Sequence, residues 1–141
     1  MKILFTLDEG ATAATRAHST DAGLDLHSLQ SATIPPGGRE LVGTGVHVSI
    51  PPGYVGLVCP RSGLAHKHGL TVLNAPGIID AGYTGEIKVN LRNAGDEVYW
   101  AETGTRIAQL LIAPIPDAHL VQVDTLDTTE RGDNGHGSTG Q

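Results

Sequence analysis

Apolar and polar side chains alternate along this chain in short segments, and no apolar stripe keeps a helical period for long. Segments 3–7, 45–50, 54–59, 70–73, 86–91, 107–112 and 120–123 are each four to six residues long and rich in Val, Ile and Leu. That is the length and composition of β-strands. Between them stand Pro35-Pro36-Gly37-Gly38, Pro51-Pro52-Gly53, Pro76-Gly77, Ala81-Gly82 and Ala94-Gly95-Asp96. Proline presets one turn angle and glycine supplies the positive φ of another, so the chain is expected to reverse at short intervals, as an all-β sandwich or barrel does. Residues 62–68 alone read as a helix, and a short one.

Composition sharpens this picture. Glycine makes up 19 of 141 residues beside 8 prolines, nearly twice the usual glycine share of about 7%, which disfavours long helices. The length suits one domain with its own core, expected over residues 1–124. From residue 125 the sequence TLDTTERGDNGHGSTGQ is too polar to bury much surface, so 125–141 reads as a flexible C-terminal arm. Arg131 beside glycine, and Gly137-Ser138-Thr139-Gly140, nevertheless offer amides and hydroxyls suited to phosphate oxygens.

A formal net charge of −6 leaves no basic surplus to neutralise a nucleic-acid backbone, so no nucleic-acid partner is expected. A small anion held by a few arginines and a metal ion remains open. Cys59 stands alone, which forbids an internal disulfide and suits a reducing compartment. The first apolar segment is too short for a signal peptide, and 107–115 falls far below the ~20 residues a membrane helix needs. The expectation is a soluble, cytoplasmic protein with no membrane partner.

Candidate chemistry lies where charge interrupts apolar segments. Asp25 alternates with Leu24 and Leu26, which turns it toward solvent or a site. Arg61-Ser62-Gly63 follows an apolar strand and brings a guanidinium fork, a hydroxyl and an open backbone amide to one strand end. Asp80 follows Ile78 and Ile79 and precedes Gly82; it is a turn former or, held against an apolar wall, a general base. Tyr83 offers a ring face to a sugar or packs the hairpin. Arg106 and Gln109 flank Ile107 and Ala108, where Gln109 needs a partner to be buried. His66 and His68 lack a nearby Cys or carboxylate at zinc-ligand spacing and read as solvated.

Taken in order, Ala22-Gly23-Leu24-Asp25, Pro60-Arg61-Ser62-Gly63, Asn74-Ala75-Pro76-Gly77-Ile78-Ile79-Asp80-Ala81-Gly82-Tyr83, Gly104-Thr105-Arg106-Ile107-Ala108-Gln109, and Arg131-Gly132 through Gly137-Ser138-Thr139-Gly140 resemble the five motifs of the trimeric dUTPase family. The resemblance implies a distorted jelly-roll subunit and a homotrimer with active sites shared at its interfaces. It implies hydrolysis of dUTP to dUMP and pyrophosphate, which limits uracil in DNA and supplies dUMP for thymidylate synthesis. Asp80 would activate the water that attacks the α-phosphorus in line. Asn74, Gly77 and Ile79 would belong to the uracil pocket, and Tyr83 would pack under the deoxyribose. Arg61, Ser62, Gly63, Gln109, Arg131, Ser138 and Thr139 would contact phosphates, with Lys88 and Gly137 also in the substrate site. Mg²⁺ would be held mainly by the phosphates, reached through water by Asp25 and Gln109.

His136 stands where many members of the family place a phenylalanine over the uracil, and Asn134 where glycine is frequent. The related dCTP deaminases are a rival reading, but they use a glutamate in the third motif where this chain has Gly-Ile-Ile-Asp-Ala-Gly-Tyr. A nucleotide-controlled binding partner of a regulator is the rival from another class.

Overall fold

The computed structural model describes residues 1–134. Ten strands and one helix follow in the order β1 Leu4–Leu7, β2 Leu24–His27, β3 Ala32–Ile34, β4 Arg39–Ser49, β5 Tyr54–Cys59, α1 Ser62–His68, β6 Leu70–Val72, β7 Gly77–Ile79, β8 Glu86–Asn93, β9 Tyr99–Ala101 and β10 Arg106–Pro114. One sheet is ordered β1-β4-β8-β6, a second β2-β10-β5-β7, and β3 pairs with β9 in a small third. The pairings within all three are antiparallel. The result is all-β, as the turn spacing predicts, and jelly-roll-like, as the family resemblance implies.

Period two explains the core. In β8 the side chains of Ile87, Val89 and Leu91 are buried while Lys88 between them is exposed. They meet Val42, Val46 and Val48 of β4 and, from the facing sheet, Leu26, Val58 and Leu110. Asn93 is fully buried at the end of β8, where its amide donates to Ile34 O and Glu97 O and accepts from Gly95 N. A buried side-chain amide is tolerated when its bonds are made in this way. The helix ends at Gly69, whose φ of 65° is the left-handed cap that glycine adopts most readily.

Strand β4 begins at Arg39, earlier than the apolar pattern suggests, because Gly43, Thr44 and Gly45 form an irregularity inside the strand rather than a break. Gly45 has a φ of 64° and its amide donates to Glu86 Oε1. Thr44 Oγ1 donates to Ile87 O. A side chain thus replaces a missing ladder bond.

One strand expectation fails. Residues 120–123 form no strand, and Leu120 is fully exposed. The last backbone tie of β10 to the body is Ile115 N to Gly53 O, and among the described residues no strand follows it. His66 and His68 are both exposed, as expected, and the His68 ring lies 5.2 Å from that of Tyr99 between centroids.

Candidate active site

Strand register brings the first, second and fourth motifs together. Gln109 of β10 lies opposite Asp25 of β2 on one side and Cys59 of β5 on the other. Directly opposed residues share a face, so Asp25, Gln109 and Cys59 form one row across three strands. Two residues beyond Cys59 the chain leaves β5 and starts α1, with Arg61 at the N-cap position in an extended conformation. The first-turn amides of Ser62 and Gly63 have no partner within the helix and open toward the same row.

Arg106 joins them through a bulge. It sits three residues before Gln109, which in a regular strand would put it on the opposite face. The register slips between Arg106 and Ala108, where β10 carries one residue more than β2. Ile107 and Ala108 are consequently both buried, and Arg106 returns to the face of Asp25.

Asp25 is the electrostatic centre. Arg61 Nε donates to its Oδ1 at 2.9 Å and Arg106 NH1 to its Oδ2 at 3.2 Å, while the carboxylate side chain is only 15% exposed. Arg61 also donates to the backbone oxygen of Arg106 at 3.4 Å. The two guanidinium groups are thus oriented by one carboxylate, with N–H groups left over for an anion. Gln109 Nε2 donates to Pro60 O at 2.9 Å, the partner its burial requires.

These residues, with Ala17, Asp21, Ala22, Gly23 and Leu111, line a cleft of about 430 Å³, within the roughly 300–1,000 Å³ of ligand sites. At its margin His27 has a buried Nδ1 without a partner. Burial pushes its pKa below the usual 6.5, opposed by Asp25 and reinforced by Arg106 and Arg61.

Gly23 is required by close approach. A Cβ there would collide with Gln109 Oε1. Gly23→Ala is therefore expected to displace the Gln109 amide and break its bond to Pro60 O. The cost is about 1 kcal/mol of stability. A thermal melt of the variant matching wild type would show that Gln109 moves aside freely.

The third motif lies elsewhere. Strand β7 pairs with β5 at the far edge of the sheet, Ile79 opposite Gly56 and Gly77 opposite Val58, and none of residues 74–83 lines the cleft. Asp80 is exposed at the turn after β7, its backbone oxygen accepting from Tyr83 N. Of the two apolar residues before Asp80, Ile79 is half-buried and Ile78 is itself exposed. Tyr83 Oη donates to Glu86 O at 2.9 Å, which folds the ring over Gly85 and leaves it half-exposed. Asn74 is exposed near Gly77.

Comparison with known proteins identifies the family. The family model for dUTPase matches residues 9–140. The chain belongs to the dUTPase family. Relatives named deoxyuridine 5'-triphosphate nucleotidohydrolase include that of Corynebacterium efficiens, 54% identical over 98% of this chain and 77% of its own length. Another, from Mycobacterium tuberculosis, is 50% identical over 95% and 91%. A mutant dUTPase of Staphylococcus bacteriophage 80alpha, determined with dUpNHpp, superposes with a TM-score of 0.91 at 34% identity, covering 99% of both chains. A mutant dUTPase from phage phi11 of S. aureus, described with a structural Mg(II) ion, gives 0.83 at 31% identity over 91% of this chain and 100% of its own.

Within this dUTPase-family chain, Asp25, Arg61, Ser62, Gly63 and Gln109 gather in the cleft, while Asn74, Gly77, Ile79, Asp80 and Tyr83 stand together outside it. Lys88 faces a separate hollow with Leu41 and Gly43, its Nζ 3.4 Å from Glu86 Oε2. Arg131 is exposed, its Nε donating to Asn134 O. His136, Gly137, Ser138 and Thr139 lie outside the described residues. Sequence reasoning singled out Arg106 beside Gln109 but gave it no role; its bond to Asp25 depends on the register across β2 and β10. It also passed over His27 and the 17–22 loop, for which the sequence holds no distinguishing signal. Among the described residues, no cluster of His, Cys, Asp and Glu is placed to hold a metal alone, and no helix is long and apolar enough to cross a membrane.

Proposed function

We propose that this chain hydrolyses dUTP to dUMP and pyrophosphate in the cytoplasm, limiting uracil in DNA and supplying dUMP for thymidylate synthesis. The observation that carries the reading is the Asp25-centred cleft, in which Arg61 and Arg106 share one carboxylate beside the amides of Ser62 and Gly63. Such a site binds and orients a polyphosphate.

The site is completed across subunits. Half of it, the phosphate cleft, lies on one face of the chain, and the Asp80 turn and Tyr83 lie on another. A homotrimer would bring the turn of one subunit to the cleft of the next. Isolated clusters of this kind, each open to solvent, are what a shared interface joins.

In that setting Asp80 accepts a proton from water as its oxygen attacks the α-phosphorus. The bond from that phosphorus to the bridging oxygen breaks, and pyrophosphate leaves. Arg61, Ser62, Gly63, Gln109 and, from the arm, Arg131, Ser138 and Thr139 hold the phosphate oxygens. Asn74, Gly77 and Ile79 enclose the uracil, and Tyr83, anchored by its own hydroxyl, presents its ring to the deoxyribose. The arm from residue 125 closes the site and lays His136 over the base, excluding water.

Asp25 and Gln109 fit Mg²⁺ only at second hand. One carboxylate with each oxygen already engaged by an arginine, and one amide, make too few donors for a protein cage. Mg²⁺ prefers to keep water and bind phosphates, so these two residues would reach it through water. Bound there, the ion neutralises charge on the phosphates.

Pyrophosphate release from each deoxynucleoside triphosphate and from UTP, with and without Mg²⁺, tests the proposal. Turnover of dUTP is expected to exceed that of dTTP, dCTP and UTP by up to roughly 10⁴, because a closed polar pocket rejects mismatched groups strongly. Comparable rates for UTP and dUTP, or ammonia release from dCTP, would refute it.

A further inference from the structure

His47 projects from β4 just past the irregularity at Gly43 to Val46, between Thr6 of β1 and Glu86 of β8. Both of its ring nitrogens meet an acceptor. Nδ1 lies 3.0 Å from the backbone oxygen of Thr84, and Nε2 lies 3.2 Å from Asp8 Oδ1. A carbonyl and a carboxylate can only accept, and a neutral imidazole donates from one nitrogen only. Both bonds can exist together only on the imidazolium.

Thr84 follows Tyr83 directly and ends the turn that begins at Asp80. Asp8 lies just after β1, where its amide is tied to Gly45 O. The ring therefore joins the root of the Asp80 turn to the β1–β4 corner. The remaining charged groups facing it are few: Glu86, opposite it in register, whose second oxygen is engaged by Lys88, and Asp8 itself.

We propose that protonated His47 is a positioning residue, latching the turn that carries Asp80 and Tyr83, and that the latch opens when the ring loses its proton. The proposal rests on the reading of that turn as the catalytic half of the site. The surroundings of the ring favour its charged form. The Thr84 carbonyl first, then the Asp8 carboxylate, raise the His47 pKa above its usual 6.5, with Glu86 adding to the effect. A raised folded-state pKa contributes stability that is complete below the unfolded value and disappears as pH rises through the folded one. The latch is thus closed in mildly acid solution and released on the alkaline side.

NMR of isotope-labelled full-length protein from about pH 5 to 9 reads this directly. Both ring nitrogens of His47 should carry protons at low pH, with a midpoint above 6.5, and the amides of Thr84 and Gly85 should move with the same midpoint. Asp8→Asn, which keeps an acceptor but removes its charge, should shift that midpoint downward. His47→Gln retains one donor. It should abolish the titration at Thr84 and Gly85, lower kcat/KM for dUTP at low pH by about three- to tenfold, and remove the alkaline decline attributable to the latch. A ring that is neutral throughout the range overturns the proposal, as do Thr84 and Gly85 shifts that persist in His47→Gln. The wild-type titration decides the matter if His47→Gln fails to fold. A protein that titrates as expected but leaves dUTP intact refutes the hydrolase reading and not the latch.

Discussion

Replacing Asp80 with Asn is expected to lower kcat for dUTP by about 10² to 10⁴, the usual consequence of removing a general base, while substrate affinity stays near wild type. The amide keeps the shape of the carboxylate but cannot take the proton of the attacking water. The fold should be undisturbed. Asp80 is exposed, and the turn it begins is closed by its backbone oxygen and Tyr83 N rather than by its side chain. Steady-state pyrophosphate release, together with calorimetric binding of a non-hydrolysable dUTP analogue, separates the two effects. A variant that turns over within threefold of wild type would reduce Asp80 to a turn former.

The second large effect concerns two inactive proteins that become active together. Arg61→Ala removes one of the guanidinium groups oriented by Asp25, and Asp80→Asn removes the base, so each variant alone should be nearly inert. If the cleft and the turn in each site come from different subunits, mixed trimers place an intact cleft against an intact turn in some sites. Random assortment of equal amounts gives about a quarter of sites intact, since each half is sound with even odds in a shared cyclic interface. Co-refolding the two variants should therefore restore roughly that fraction of wild-type activity, and light scattering should give a trimer mass. No recovery from a mixture that demonstrably exchanges subunits would return both halves to one chain.

Much of this architecture was legible in the sequence, because strands with one buried face carry a period of two and turns declare themselves through Pro and Gly. The core face of β8 follows that rule throughout, and those of β4 and β10 follow it away from their irregularities. Of the four three-residue strands, β6 is announced by its apolar run, while β3, β7 and β9 offer no such run. Residues 120–123 carry the pattern of a strand without a partner to pair with, and pattern cannot report a partner. In the site, Asp25, Arg61 and Gln109 could be singled out as polar interruptions of apolar segments. What joins them is register across β2, β10 and β5, a long-range property that no local window contains. His47 was invisible for the same reason. Its two acceptors come from residues 39 and 37 positions away.

The slip in β10 between Arg106 and Ala108 constrains the length of the chain more tightly than its spelling. Ile107 could give way to another apolar residue of similar volume at modest cost, because what matters there is that its place in the core be filled. Deleting it would restore regular alternation and leave Arg106 two residues before Gln109, still on the face of Asp25. The core, however, would lose a fully buried side chain, and an unfilled place of that size costs about 2 to 5 kcal/mol. The fold should accordingly tolerate apolar drift at this point while rejecting a single-codon deletion, so that deep mutational scanning would find position 107 permissive to apolar substitution and closed to loss.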